Sequence, residues 1–122
     1  VRQSSTNTPL QALNLLNDVA FVETARLLAA RMLIEGGPSF ATRLEYGFEL
    51  LLARPPAPLE TQLLQDSFAE HLRDYQSNPE AAHAFVSHGD SPNPPSIDTA
   101  EHAAMTQMAL PLLNLDETVT KP

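Results

Sequence analysis

Two groups of amide and carboxylate side chains, one near each end of the chain, have the chemistry to bind a ligand. The first group consists of Asn7, Asn14, Asn17 and Asp18. The second group consists of Asn114, Asp116 and Glu117. If the first and last helices pack together, these groups could converge on a glycan, a cation or another protein domain. The alternative is that they cap helix ends and satisfy backbone groups there.

Other reactive residues show no pattern that indicates catalysis. The chain has no cysteine, which excludes disulfides, thiolate nucleophiles, iron–sulfur clusters and covalent haem attachment. The four histidines form no HExxH or HxxxH pair, and Asp98 and His102 have the spacing of a pair across one helical turn. Asp116 and Glu117 could do acid–base work only if burial separated their pKa values. We therefore predict no catalytic residue, no cofactor and no metal in this chain.

Length and charge limit the classes of partner. At 122 residues the chain has the size of a single domain, residues 1–122, with enough apolar residues to build a core. Fifteen acidic residues against seven basic ones give a net charge of −8, which repels nucleic acid and anionic lipid. No apolar run approaches the ~20 residues of a membrane span. We expect neither nucleic-acid binding nor membrane insertion.

The apolar residues recur at helical spacing along the whole chain. Thr8 and Pro9 predict the start of a short first helix, with Leu10, Leu13 and Leu16 on one face. Five further helical segments follow, and their approximate bounds are residues 19–35, 40–53, 59–76, 79–87 and 99–115. No segment alternates as a strand does. The sequence predicts an all-α fold, a compact helical bundle of about six helices, four long and two short.

Several single positions carry structural expectations. Leu63 and Leu115 extend apolar stripes, so both are expected in the core. Gly47 within a helix costs about 1 kcal/mol relative to alanine, so we expect a neighbouring helix to approach closely there. Pro111 is expected to bend the last helix near its end. Residues 88–96 are rich in turn residues, and we expect an exposed loop that is the most mobile part of the chain.

Five short motifs occur in an order that resembles a known family. They are Thr-Asn-Thr-Pro-Leu-Gln-Ala-Leu at 6–13, Leu-Leu-Asn-Asp at 15–18, Phe-Val-Glu-Thr-Ala-Arg at 21–26, Arg-Pro-Pro at 54–56 and Leu-Leu-Asn-Leu-Asp-Glu at 112–117. Together they resemble the C-terminal part of the planctomycete-type proteins that contain domain of unknown function 1553. The chain departs from that pattern at Val19 (proline expected), at Ala57 (a serine or threonine cap expected) and at Pro111.

The resemblance implies that the chain is a C-terminal segment of a larger exported protein, periplasmic or otherwise extracytoplasmic, which sometimes carries a cytochrome-c-like domain. It implies no activity and no site residues. We expect a non-catalytic helical module that docks against the N-terminal domains of the parent protein or against another protein. The alternative is one wall of a carbohydrate-directed or redox-linked active site completed by those N-terminal domains, which a convergent group of Asn7, Asn14, Asn17 and Asn114 would favour.

Overall fold

The computed structural model describes residues 19–115, and every regular element within that range is a helix. The five helices are α1 (Val19–Glu35), α2 (Phe40–Leu52), α3 (Pro58–Ser77), α4 (Pro79–Phe85) and α5 (Thr99–Leu115). They correspond in order to five of the six predicted helices, which confirms the all-α fold. The short helix predicted to begin at Pro9 lies outside the described residues.

The helices begin where side-chain oxygens can accept from their first free backbone N–H groups. Ser39 accepts from the N–H of Thr42 at 3.2 Å before α2, and Asn78 accepts from the N–H of Ala81 at 3.2 Å before α4. Asp98 accepts from the N–H of Glu101 at 3.0 Å before α5. These three helix starts are the ones that the sequence predicts.

The connector between α2 and α3 is held by an ion pair. The two guanidinium nitrogens of Arg54 donate to the two oxygens of Glu60 at 2.9 and 3.0 Å. Glu60 also accepts from the N–H of Ala57 at 2.7 Å, which is the half of a capping box that does not need a side-chain oxygen at Ala57. These hydrogen bonds lower the pKa of Glu60 to about 2, and the bonds from Arg54 have a larger effect than the bond from Ala57. The Arg-Pro-Pro segment therefore fixes the entry of the chain into α3.

Helix α5 occupies the centre of the bundle and packs against the other four helices. Nine of its residues are buried: His102, Ala103, Ala104, Met105, Thr106, Met108, Ala109, Leu112 and Leu113. Gly47 of α2 lies where three helices meet, since a Cβ there would lie 2.9 Å from the Met32 sulfur and 3.1 Å from Leu112 Cδ2. The predicted close approach at Gly47 is confirmed.

Two leucines that the sequence places in the core are exposed instead. Leu63 is 60% exposed, because the face of α3 that meets the core is centred on Leu64 and Phe68, and Leu63 lies about 100° around the helix from Leu64. Leu115 is 50% exposed, because it is the last residue of α5 and extends past the packed part of that helix. Helix α5 continues across Pro111 to this end. None of the 20 residues of α3 is fully buried.

Candidate functional site

The structure describes only part of the predicted amide site. Asn114, near the end of α5, is exposed. The other candidate residues lie outside the described residues; they are Asn7, Asn14, Asn17, Asp18, Asp116 and Glu117. Whether the two ends of the chain converge therefore stays a prediction. The polar clusters that the structure does show lie elsewhere.

A buried polar cluster is centred on Arg26 of α1, which is only 1% exposed. Its Nε donates to the backbone oxygen of His88 at 2.6 Å, and its Nη2 donates to that of Ser91 at 2.6 Å. Its Nη1 donates to the side-chain oxygen of Asn93 at 2.9 Å, and Asn93 in turn donates to the backbone oxygen of Val86 at 2.9 Å. One arginine thus ties the segment after α4 to α1.

Glu23, one turn before Arg26, holds the same segment from a second point. Its carboxylate accepts from the backbone N–H of Ser91 at 3.0 Å and from the Ser91 hydroxyl at 2.6 Å. Both bonds lower the pKa of Glu23, and the bond from the Ser91 hydroxyl has the larger effect. Gly89 passes so close that a Cβ there would lie 2.2 Å from the Glu23 carboxyl carbon, and its φ of +85° also favours glycine.

These contacts bear on the expectation for residues 88–96, whose mobility stays a prediction. The turn-rich composition predicts the most mobile part of the chain, but hydrogen bonds from Arg26 and Glu23 hold the backbone at His88 and at Ser91. Charge-assisted hydrogen bonds from a buried guanidinium are strong, so they anchor the loop to α1 at these residues. We call this anchored segment, residues 88–98, the latched loop.

His102 of α5 completes the cluster from the other side. It is 2% exposed, and its Nε2 carries the proton because it donates to the backbone oxygen of Arg26 at 2.8 Å. Burial lowers the pKa of His102, so the neutral imidazole is favoured. The pairing of His102 with Asp98 expected from their spacing is wrong, because Asp98 caps α5 and His102 points to α1.

This cluster is suited to holding helices together rather than to binding a ligand. The guanidinium donates to three acceptors of the latched loop, and the Glu23 carboxylate accepts from two donors at Ser91. Sequence reasoning missed it, although a signal was present. Arg26 lies four residues after Val22 and three before Ala29, so it shares the buried face of α1.

The outer side of α3 carries two of the most exposed large apolar side chains in the described structure. Leu59 is 69% exposed and Leu63 is 60% exposed, and they lie one turn apart on the same face. Asp66 and Glu70, both exposed, continue this line along the helix. We call these four residues the α3 outer stripe. Such a row of side chains has the form of a contact surface.

In residues 19–115, most arginines bond to other groups of the protein, whereas most carboxylates form no ion pair. Arg31 donates to Tyr46 at 2.9 Å and to Glu35 at 3.3 Å, and Arg43 donates to the backbone oxygen of Gly37 at 2.9 Å. Together with Arg26 and Arg54, this engages four arginines within the protein. Among residues 19–115 the ion pairs involve only Glu23, Glu35 and Glu60 on the acidic side. The remaining carboxylates dominate the outward charge.

A shallow depression lies beside the start of α5. Its volume is about 270 Å³, and its walls are formed by Tyr75, Gln76, Pro79, Asp98, Thr99 and Ala100. The Tyr75 hydroxyl accepts from Gln107 at 2.9 Å, and Asp98 already caps α5. Since ligand pockets usually enclose about 300–1,000 Å³ and offer unused polar groups, this depression is a weaker candidate than the α3 outer stripe.

Residues 19–115 contain neither a candidate membrane span nor a candidate metal site. No helix in that range has the length and apolar character that crossing a bilayer requires. No three histidine, aspartate or glutamate side chains in that range are grouped so that they could hold a metal ion.

Comparisons with known proteins give one match. Neither the curated proteins nor the solved structures contain a match to the chain. A family model matches residues 1–68, which include four of the five motifs quoted above, among them the segment with Glu23 and Arg26 and the Arg-Pro-Pro connector. The motif at 112–117 lies outside the matched range. The match covers more than half of the chain, and the chain therefore belongs to the PSD1 family, described as proteins of unknown function (DUF1553).

Proposed function

We propose that this protein is a non-catalytic helical module that docks against another polypeptide through α3. The observation that carries the proposal is the exposure of Leu59 and Leu63, 69% and 60%, one turn apart on a helix with no fully buried residue. Covering each leucine contributes roughly 1.5–3 kcal/mol if it passes from water into an apolar contact. The outer face of this helix would therefore gain stability from a partner, while its inner face packs on the bundle through Leu64 and Phe68.

The rest of the structure supports a rigid platform for that contact. Arg54 and Glu60 fix the start of α3 beside Leu59, and Phe40 packs against Phe68 at 4.9 Å between ring centroids on the inner side. A surface that is already ordered before binding loses little conformational entropy when it binds. The α3 outer stripe meets that condition.

The partner that fits the family resemblance is the rest of a larger protein that contains this chain. We propose that its N-terminal domains cover α3, and that this larger protein is exported and lies outside the cytoplasm, as the resemblance to the planctomycete-type members implies. Fractionation of cells that produce the whole gene product tests the location. Recovery of that product only with cytoplasmic proteins would overturn the statement on export.

Hydrogen exchange measured by mass spectrometry tests the docking itself. The gene product that contains the chain is compared with the isolated chain, using a peptide that covers residues 58–66 and a reference peptide from α4. We expect slower exchange of residues 58–66 in the larger protein, because a partner covers them, and equal exchange in α4. Equal exchange of residues 58–66 in both proteins would overturn the proposal.

A pair of double variants makes this test specific. Leu59→Gln with Leu63→Gln should return the exchange of residues 58–66 to the rate of the isolated chain. Leu27→Gln with Ile34→Gln is the matched control, since these two residues are 40% and 55% exposed on the outer face of α1. The control should leave the protection of residues 58–66 intact. If the control removes the protection equally, the contact is not made through α3.

A further inference from the structure

We propose that the occupant of the α3 outer stripe is a basic amphipathic helix, with apolar side chains on Leu59 and Leu63 and lysine or arginine side chains beside Asp66 and Glu70. The inference rests on the proposed docking function and adds the chemistry of the partner. It follows from the order of residues along α3 and from the charges around them.

The stripe is divided along its length into an apolar half and an acidic half. Leu59, Leu63, Asp66 and Glu70 follow at steps of four, three and four residues, so all four lie on one line along the outer face. All four are exposed. At about 1.5 Å per residue, the line from Leu59 to Glu70 is roughly 16 Å long. A partner helix of about three turns covers this length.

The acidic half carries two carboxylates that can form ion pairs with a partner. Asp66 accepts from the neutral amide of Gln62 at 3.1 Å and forms no ion pair with any residue in the range 19–115. Glu70 likewise forms no ion pair in that range. By contrast, Glu60 is neutralised by Arg54 at the inner edge of the helix. Asp66 and Glu70 are therefore among the carboxylates of residues 19–115 that can pair with charges from a partner.

The charge around the stripe is acidic on balance, although the exposed Arg73 follows Glu70 by three residues on the same face. The chain carries 15 acidic and 7 basic residues, and four of its arginines are engaged within the fold. An acidic helix would meet repulsion from Asp66, Glu70 and the net charge together. A purely apolar helix would leave both carboxylates without a partner at the edge of the contact. A helix with leucines on one face and cations beside them covers the apolar half of the stripe and pairs with the carboxylates of the acidic half.

Fluorescence anisotropy with two synthetic peptides tests the inference on the folded chain. The probes are a helical peptide of about 15 residues built from leucine and lysine, and the same peptide with glutamate in place of every lysine. We expect the lysine peptide to bind at least about tenfold more tightly than the glutamate peptide, with an affinity that falls as salt is added. Equal affinities, or no binding of the lysine peptide, would overturn the inference.

Three double variants separate the stripe from the general charge of the protein. Leu59→Gln with Leu63→Gln, and Asp66→Asn with Glu70→Gln, should each weaken the lysine peptide by about fivefold or more. The control, Glu45→Gln with Glu80→Gln, changes the net charge equally at exposed residues off the stripe. It should change the affinity by less than about twofold. A loss as large in the control would show attraction to net charge alone and would overturn the inference.

The outcomes distinguish this inference from the docking proposal beneath it. If residues 58–66 are protected in the larger protein but the lysine peptide does not bind, docking stands and the basic chemistry is rejected. If those residues are not protected and the peptide does not bind, both the docking proposal and the inference of a basic helix are rejected. If the peptide binds through the stripe without protection in the larger protein, the partner is a separate basic polypeptide.

Discussion

Replacing Arg26 with methionine should lower the stability of the protein more than any other single arginine change in the described chain. The guanidinium is 1% exposed and donates three hydrogen bonds, two of them 2.6 Å long, to residues 62–67 positions downstream. Hydrogen bonds from a charged group contribute about 1.5–3 kcal/mol each and are not additive. Three such bonds, counted as less than additive, give a loss of about 3–5 kcal/mol. We expect Arg26→Met to fall in that range.

Urea unfolding followed by far-UV circular dichroism measures the loss. Arg26→Lys should recover only part of it, since an ammonium group is a single point and cannot reach three acceptors fixed by a planar guanidinium. The exposed Arg73→Met is the control and should stay within about 0.5 kcal/mol of the wild type. Limited proteolysis should cut the latched loop at least about tenfold faster in Arg26→Met. A stability loss under about 1 kcal/mol with unchanged proteolysis would refute the assigned role of Arg26.

Three other outcomes are expected from the geometry. Ala53 ends α2 in the left-handed region at φ 57°, which costs an alanine about 1–2 kcal/mol, so Ala53→Gly should raise the urea midpoint, and a lowered midpoint would contradict this. Gly47→Ala should destabilise by about 1–3 kcal/mol despite its better helix propensity, because Met32 and Leu112 occupy the space of the new Cβ; a gain in stability would show that they yield easily. Because the pKa of His102 is lowered from its ordinary 6.5, the unfolded state binds the proton more readily, and stability should fall as pH drops below 6.5. His102→Gln keeps a donor for the Arg26 carbonyl and should flatten that fall just below pH 6.5, whereas an unchanged slope would show that other groups cause the fall.

Local rules predict most of the fold because they act within a few residues. The caps at Ser39, Asn78 and Asp98 and the apolar spacing of α1 and α5 are readable from neighbours in sequence, and the structure confirms them. The contact at Gly47 was also predictable, since an unfavourable residue inside a helix needs a compensating reason. These features do not depend on where distant parts of the chain go.

The position of Arg26 on the buried face of α1 was readable from the sequence, but its partners were not, because two of the three are backbone groups. Arg26 binds the carbonyl oxygens of His88 and Ser91, and every residue type offers a carbonyl. An arginine is rarely buried without partners, and the partners that allow its burial here lie more than 60 residues away along the chain. The exposure of Leu63 has a similar origin, because only the position of α5 decides which side of a wide apolar face is covered.

The central place of α5 has a consequence for synthesis of the protein. The helix on which the other four pack is the last of the five to leave the ribosome. At about 5–20 residues per second, roughly 4–16 s pass between the completion of α1 and that of α5. During that interval the apolar faces around Met32 and Phe48 have no core to enter. We therefore expect the nascent chain to expose apolar surface, of the kind that favours aggregation, until α5 has left the ribosome.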